Sequence, residues 1–208
     1  MPFACEVFGP GATTSAPGSP RVIVSSEQTV LLSLLRPEVG LALWLRELPS
    51  GWTRALAPLL EATPFRVTAE GSPDEAWDAS VAALPAPAPP DLLADGLRLA
   101  RLFAALARTD RVRLRLEAIG GDACRKFHVD AGGLRLLVTY AGPGTQWTLG
   151  DPARAGTAIQ QAPAGAVLAL RGRARPGAHV VHRSPPLSTL PEARRRRLLL
   201  CLDEPEER

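Results

Sequence analysis

The sequence predicts an α+β fold in which a largely helical N-terminal region precedes a run of short strands. Residues 91–107 repeat apolar side chains at the spacing of an amphipathic helix. Residues 112–118 then alternate apolar and charged side chains, as in a half-buried strand. From there to Asp203, short apolar stretches are separated by Gly and Pro turns. A helical region followed by such strands predicts a sheet that closes as a sandwich or barrel.

The elements before residue 111 are predicted from local patterns. Residues 1–20, rich in Gly, Pro, Ser and Thr, are expected to form a disordered tail. The apolar stretches 21–24, 29–35 and 40–45 indicate strands or short buried segments. Ser50 is the expected N-cap of a helix over 52–62, which its internal proline should kink or split.

The remaining elements follow in order. Residues 72–75 combine a capping serine, a first-turn proline and early acids, so they predict a second helix start. A proline-rich connector leads to the helix capped by Asp91. The predicted later strands are 126–130, 134–140, 165–170, 179–182 and 197–202. We therefore divide the chain into a tail (1–20), an N-terminal α+β region (21–110) and a C-terminal core (111–204).

Composition favours an ordinary globular protein. The chain has 208 residues, 46% of them hydrophobic, and a formal net charge of +3. Its arginines are scattered rather than interleaved with aromatic residues, which argues against a nucleic-acid partner. The run Arg194–Arg197 predicts either a phosphate-binding patch or a solvated strand entry.

Cysteine usage and hydropathy predict a cytoplasmic location. The three cysteines are too widely spaced for a disulfide framework or a zinc finger, which favours a reducing compartment. The N-terminus lacks the features of a secretory signal, and no apolar run has the length of a bilayer span. We expect no membrane partner.

A metal site is predicted from His128-Val129-Asp130 and the downstream His182. A His-x-Asp pair presents an imidazole and a carboxylate on one side of a strand. A second histidine from a neighbouring strand would complete a two-His-one-carboxylate site for Fe(II). His179 is an alternative third ligand, and Cys124 could shift the preference toward zinc. The competing interpretation is that the histidines are hydrogen-bonded in a purely structural domain.

Two family resemblances extend this prediction. Residues 120–203 resemble the double-stranded β-helix (jelly-roll) core of Fe(II)- and 2-oxoglutarate-dependent dioxygenases, above all the prolyl-hydroxylase branch. The similarity is carried by His128-Val129-Asp130, by the glycine-rich turn 142–147 and by His182. Residues 21–204 also resemble a bacterial domain-of-unknown-function family, family 1826, through the segments 124–130, 135–147, 182–186 and 197–203.

The dioxygenase resemblance implies roles for individual residues. His128, Asp130 and His182 would bind Fe(II), and a basic residue opening the last strand would hold the far carboxylate of 2-oxoglutarate. Any of Arg194–Arg197 could do so, and Arg197 is favoured because it directly opens that strand. Tyr140 would be a further contact of the cosubstrate.

The predicted substrate is a small molecule or a protein side chain. Lys126 or Arg135 would contact it at the catalytic centre. The predicted architecture is thus an N-terminal helical region packed on a cupin-like jelly-roll. The alternative function is a non-catalytic, cupin-like metal-binding or sensing protein with zinc at the same ligands.

Overall fold

The computed structural model describes residues 20–205 and contains ten strands. They are β1 Arg21–Ser25, β2 Val39–Trp44, β3 Phe65–Gly71, β4 Val112–Ile119, β5 Leu134–Ala141, β6 Gln146–Thr148, β7 Gln160–Gln161, β8 Val167–Arg171, β9 Val181–Arg183 and β10 Arg197–Asp203. Seven of them form one large sheet in the order β1-β2-β8-β5-β10-β4-β3. Its neighbouring strands are antiparallel except for the parallel pair β1 and β2. The predicted tail lies outside the described residues, apart from Pro20.

The other three strands form a small sheet in the order β7-β6-β9. An antiparallel bridge between His128 and His182 adds one more segment at the β9 edge. From β4 onward the chain passes between the two sheets, as in a jelly-roll. The predicted α+β class is therefore confirmed. The strand expected over residues 126–130, however, is reduced to the single bridge at His128.

The described residues form four α-helices, all before β4: α1 Trp52–Ala55, α2 Ala57–Glu61, α3 Pro73–Ala82 and α4 Pro90–Ala107. Three 3₁₀ helices span Gln28–Leu35, Leu187–Thr189 and Glu192–Arg194. The helix predicted over residues 52–62 is split at Leu56, and its N-cap is Gly51 with a φ of 84° rather than Ser50. The helix start predicted at Ser72 is confirmed, because Ser72 and Glu75 form a reciprocal capping box.

The region before residue 111 supplies strands as well as helices. β1 and β2 extend one edge of the large sheet, and β3 forms the other edge. The segment 29–35 is a 3₁₀ helix with Leu31 and Leu34 buried. Within residues 20–205, no helix is long and apolar enough to cross a membrane.

The large sheet separates two apolar cores. On one face, alternate residues such as Leu114, Leu116 and Val138 pack with α4 and its Phe103. On the other face, a smaller core joins the two sheets and includes Leu137, Leu199, Cys201 and Trp147. We call the face toward the small sheet the inner face. Because side chains alternate along a strand, this division decides which residues can reach a site between the sheets.

Candidate metal centre

His128 and His182 lie directly opposite each other in two antiparallel segments. The His128 amide donates to the His182 carbonyl at 3.0 Å, and the His182 amide donates to the His128 carbonyl at 2.9 Å. Residues paired in this way project their side chains from the same face. The two ring centroids are 4.6 Å apart. One backbone pairing thus aligns both imidazoles.

Asp130 joins the two imidazoles, because side chains two residues apart in an extended segment share a face. His182 Nε2 lies 3.3 Å from Asp130 Oδ2, and His128 Nε2 lies 3.6 Å from Asp130 Oδ1. One potential ligand atom from each residue lies within 4.8 Å of the other two. The structure therefore brings together the three residues predicted as metal ligands.

The donor atoms at this site suit a cation. His128 Nδ1 lies 2.9 Å from the Lys126 carbonyl, which can only accept, so Nδ1 carries the proton and Nε2 keeps its lone pair. Asp130 Oδ2 is buried and accepts no well-formed hydrogen bond from the described residues. Such an oxygen is costly to bury unless a cation neutralises it. Two imidazoles and one carboxylate fit a first-row divalent metal.

Burial and local charge set the protonation of the three groups. Burial lowers the pKa of His182 to about 4, so its imidazole is neutral at pH 7. The neighbouring Asp130 carboxylate raises the pKa of His128. Burial would raise the pKa of Asp130, but its contacts with His128, His182 and Arg135 lower it overall. An ionised carboxylate beside a neutral imidazole is the state that binds metals.

Arg135 supports the Asp130 carboxylate. Its Nη1 donates to Asp130 Oδ1, and its Nε and Nη2 donate to the two carboxylate oxygens of Asp203 at 2.5 Å and 3.0 Å. A guanidinium held between two carboxylates fixes the Asp130 rotamer and leaves Oδ2 for a metal. The sequence analysis placed Arg135 against the substrate, whereas the structure engages it with these two acids.

Arg197 lies on the inner face at the start of β10 and is only 1% exposed. Among the described residues its guanidinium hydrogen-bonds to three hydroxyls and to no carboxylate. The acceptors are Thr139 Oγ1 at 3.0 Å, Thr145 Oγ1 at 2.8 Å and Ser184 Oγ at 3.0 Å. Burial without an acidic partner lowers the pKa of Arg197 to about 10. A buried cation in this state is prepared to receive an anion.

Two strands connect the Arg197 pocket to the histidines and Asp130. Ser184, directly after β9, contacts Arg197 and follows His182 by two residues, so both side chains share a face about 6 to 7 Å apart. On β5, Arg135 contacts Asp130 and Thr139 contacts Arg197, four residues apart on the inner face. The two groups therefore belong to one site between the sheets.

Three further residues considered in the sequence lie around this centre. Lys126 is exposed, and its carbonyl orients His128. Cys124 is also exposed, and its Sγ lies 3.6 Å from His128 Nδ1 rather than within the group of three. His179 Nδ1 lies 3.3 Å from the Arg171 carbonyl, and His179 is not a member of that group.

Tyr140 lies on the other face of the large sheet, toward the helices. Its hydroxyl donates to Asp95 Oδ2 at 2.8 Å, and Asp95 also pairs with Arg46. The neighbouring Thr139 is the β5 residue that reaches Arg197, because consecutive side chains point to opposite faces. Tyr140 is therefore not brought to the site at which the sequence analysis expected it.

Replacing Tyr140 with Phe is expected to affect stability and not ligand binding. The change removes the hydrogen bond to Asp95, so the free energy of unfolding should fall by about 1 to 2 kcal/mol. Chemical denaturation measures this loss. Metal and cosubstrate affinities should stay within twofold of the wild type, and a large drop in either would place Tyr140 at the site after all.

Four residues that complete the centre were not predicted from the sequence. Asp203 anchors Arg135, and Thr139, Thr145 and Ser184 surround Arg197. Ser184 could have been found from its spacing of two after His182. Thr145 precedes β6, and no pattern in the sequence indicates its contact with Arg197, which lies 52 positions away.

Known structures share this fold. The dioxygenase for auxin oxidation 1 from Arabidopsis thaliana, solved as a 2-oxoglutarate complex, is 14% identical, with a TM-score of 0.51 over 89% of this chain and 91% of that chain. The dioxygenase for auxin oxidation in rice is 15% identical, with a TM-score of 0.49 and coverages of 89% and 82%. A prolyl-4-hydroxylase from Pseudomonas putida is 19% identical, with a TM-score of 0.43 and coverages of 84% and 96%. At this identity the likeness to the Arabidopsis structure concerns the fold alone, and that fold is jelly-roll-like.

The family assignment comes from the sequence itself. The family described as "Protein of unknown function (DUF1826)" matches residues 25–203. The chain belongs to this family, as the resemblance in the sequence predicted. No curated protein matches the chain.

Proposed function

We propose that this protein is a non-haem Fe(II)- and 2-oxoglutarate-dependent oxygenase that hydroxylates an unidentified substrate. The observation that carries the proposal is the pairing, within one site, of a His-Asp-His group with a buried arginine that lacks an acidic partner. The first suits a divalent metal with open coordination positions, and the second suits the far carboxylate of an oxoacid. The dioxygenase fold supports the same assignment.

The residues of the chain have distinct roles in this proposal. His128, Asp130 and His182 would hold Fe(II), and the bound metal would supply the redox chemistry that an oxygenase needs. Arg197 anchors the distal carboxylate of 2-oxoglutarate, and the hydroxyls around it fix the plane of its guanidinium. Arg135 orients Asp130 and is a positioning residue rather than a substrate contact.

The substrate and the cellular location are parts of the same proposal. We propose a small molecule or a protein side chain as substrate, with the exposed Lys126 beside His128 as one contact. The free thiols of Cys124 and Cys201 and the use of Fe(II) agree with a reducing compartment, and we propose the cytoplasm.

Turnover of 2-oxoglutarate tests the proposal. The balanced reaction consumes 2-oxoglutarate, O₂ and a substrate C–H bond and yields succinate, CO₂ and the hydroxylated product. Even without the substrate, we expect Fe(II)-dependent succinate formation, at a slow uncoupled rate, that stops when O₂ is removed. Asp130→Ala protein is the control for adventitious iron chemistry.

The outcome separates the two functions considered for this site. Succinate formation that requires Fe(II), O₂ and Asp130 supports the oxygenase. One equivalent of zinc in untagged purified protein, with no succinate after iron reconstitution, would instead support a non-catalytic metal-binding protein.

A further inference from the structure

The inner face of the large sheet changes from apolar to charged between β10 and β4. Leu199 and Cys201 on β10 belong to the core between the sheets, and they pair with Glu117 and Arg115 on β4. Glu117 in turn pairs with Arg66 on β3. We call the polar inner-facing residues of β3 and β4 the charged floor; they are Arg66, Thr68, Glu70, Arg113, Arg115 and Glu117.

The small sheet leaves the charged floor open. The side chains of Arg66 and Arg115 are 63% and 29% exposed, whereas Leu199 and Cys201 are buried. The chain connections explain this difference. β7 leads into β8, and the segment that ends at His128 follows β4 and forms the free edge of the small sheet. Arg66 at the sheet edge and part of Arg115 are therefore accessible to solvent.

Two arginines of the floor share one carboxylate. Arg66 Nε lies 2.7 Å from Glu117 Oε2, and Arg115 Nε lies 3.1 Å from Glu117 Oε1. One acid neutralises one of the two charges, so the three side chains carry a net charge of +1. Arg115 Nε is buried and makes no well-formed hydrogen bond with the described residues. Each guanidinium has five N–H donors, so most remain for a ligand.

The floor is connected to the support of the metal centre. Arg115 is paired with Cys201 on the adjacent strand, about 4.8 Å away. Cys201 Sγ contacts Asp203 Oδ2 at 3.4 Å, and Asp203 holds the Arg135 that orients Asp130. A molecule bound at Arg115 on β4 would thus have to extend over β10, toward Arg135 on β5, to approach Asp130.

We propose that the substrate is a small anionic molecule whose carboxylate or phosphate group binds Arg66 and Arg115 on the charged floor. This inference rests on the proposed function and specifies its substrate class. The open floor gives an oxyanion access, and the shared carboxylate leaves an excess positive charge to bind it. Paired guanidinium groups recognise oxyanions through charge-assisted, bidentate hydrogen bonds.

Calorimetric titration of the metal-free protein with inorganic pyrophosphate tests this site without metal chelation by the probe. We expect Arg66→Met and Arg115→Met each to weaken binding about tenfold, the loss of one charge-assisted hydrogen-bond pair. Arg101→Met is the matched control, because Arg101 is an exposed, ion-paired arginine on α4. It should bind pyrophosphate like the wild type.

Each other outcome decides against the inference. If the wild type binds no pyrophosphate, or if affinity depends on Arg197 and not on the floor, the anion site is not where we place it. Arg66→Met decides alone if Arg115→Met fails to fold, since Arg66 is the more exposed. A parallel titration with N-oxalylglycine on Mn(II)-loaded protein reports separately on the proposed function and should not respond to Arg66→Met.

Discussion

Replacing Arg197 with Met should abolish cosubstrate binding without unfolding the protein. The guanidinium is the cation that we assign to the distal carboxylate of 2-oxoglutarate, so the affinity for N-oxalylglycine should fall at least about 100-fold, the effect of removing a buried charged partner. Thermal-shift titration of Mn(II)-loaded protein with N-oxalylglycine measures the change.

The stability part of this prediction follows from the pKa of Arg197. A pKa lowered from 12.5 to about 10 means that the folded state holds this proton less tightly than the unfolded chain does. Keeping Arg197 charged in the fold at pH 7 therefore costs on the order of 3 kcal/mol. Arg197→Met removes this unfavourable free energy but also removes the hydrogen bonds to the three hydroxyls. The free energy of unfolding should therefore not fall by more than about 1 kcal/mol.

Arg197→Lys is the matched control. Lysine keeps the positive charge but lacks the planar guanidinium that can donate two hydrogen bonds to a carboxylate. This variant should therefore bind N-oxalylglycine more weakly than the wild type and more tightly than Arg197→Met. Equal affinities for all three proteins would show that the ligand is held elsewhere.

Replacing Asp130 with Asn should remove metal binding. The amide keeps an oxygen to accept from Arg135, but it has no charge to offset a divalent ion. We expect the affinity for Fe(II) or Mn(II) to fall more than about 100-fold, beyond the 10- to 100-fold range seen for supporting residues. Competition with a fluorescent chelator gives the affinity.

Two further variants make the metal prediction specific. Asp203→Asn weakens the contact that positions Arg135, so the metal affinity should fall by less, about tenfold. His179→Gln alters the histidine outside the group of three and should leave the affinity unchanged. If His179→Gln instead matches Asp130→Asn, the ligand set is wrong.

Strand alternation made the grouping of His128, Asp130 and His182 predictable. His128 and Asp130 are two residues apart, and this period placed both side chains on one face although only His128 forms a bridge. The same period argues against Tyr140 as a contact of the cosubstrate. Arg135 and Tyr140 are five residues apart on β5, so they cannot both face the inner side.

The other features could not be predicted because they depend on pairing between segments that are far apart in the sequence. The residues before 111 show apolar stretches, but nothing in them indicates that β1 and β2 join one edge of the sheet and β3 the other. Arg135 appeared to be a substrate contact because its acceptor Asp203 lies 68 positions away. The charged floor arises in the same manner, since Arg66 and Glu117 meet only when β3 pairs with β4.

Anaerobic calorimetric titration of 2-oxoglutarate into Fe(II)-loaded protein is the most direct test of the central claim. The claim is that His128, Asp130, His182 and Arg197 form one site for a metal and an oxoacid. We expect one 2-oxoglutarate per chain, with binding lost both when Fe(II) is omitted and when Arg197 is replaced by Met. Binding that is absent in the Fe(II)-loaded wild type, or that is unaffected by either change, would contradict the account.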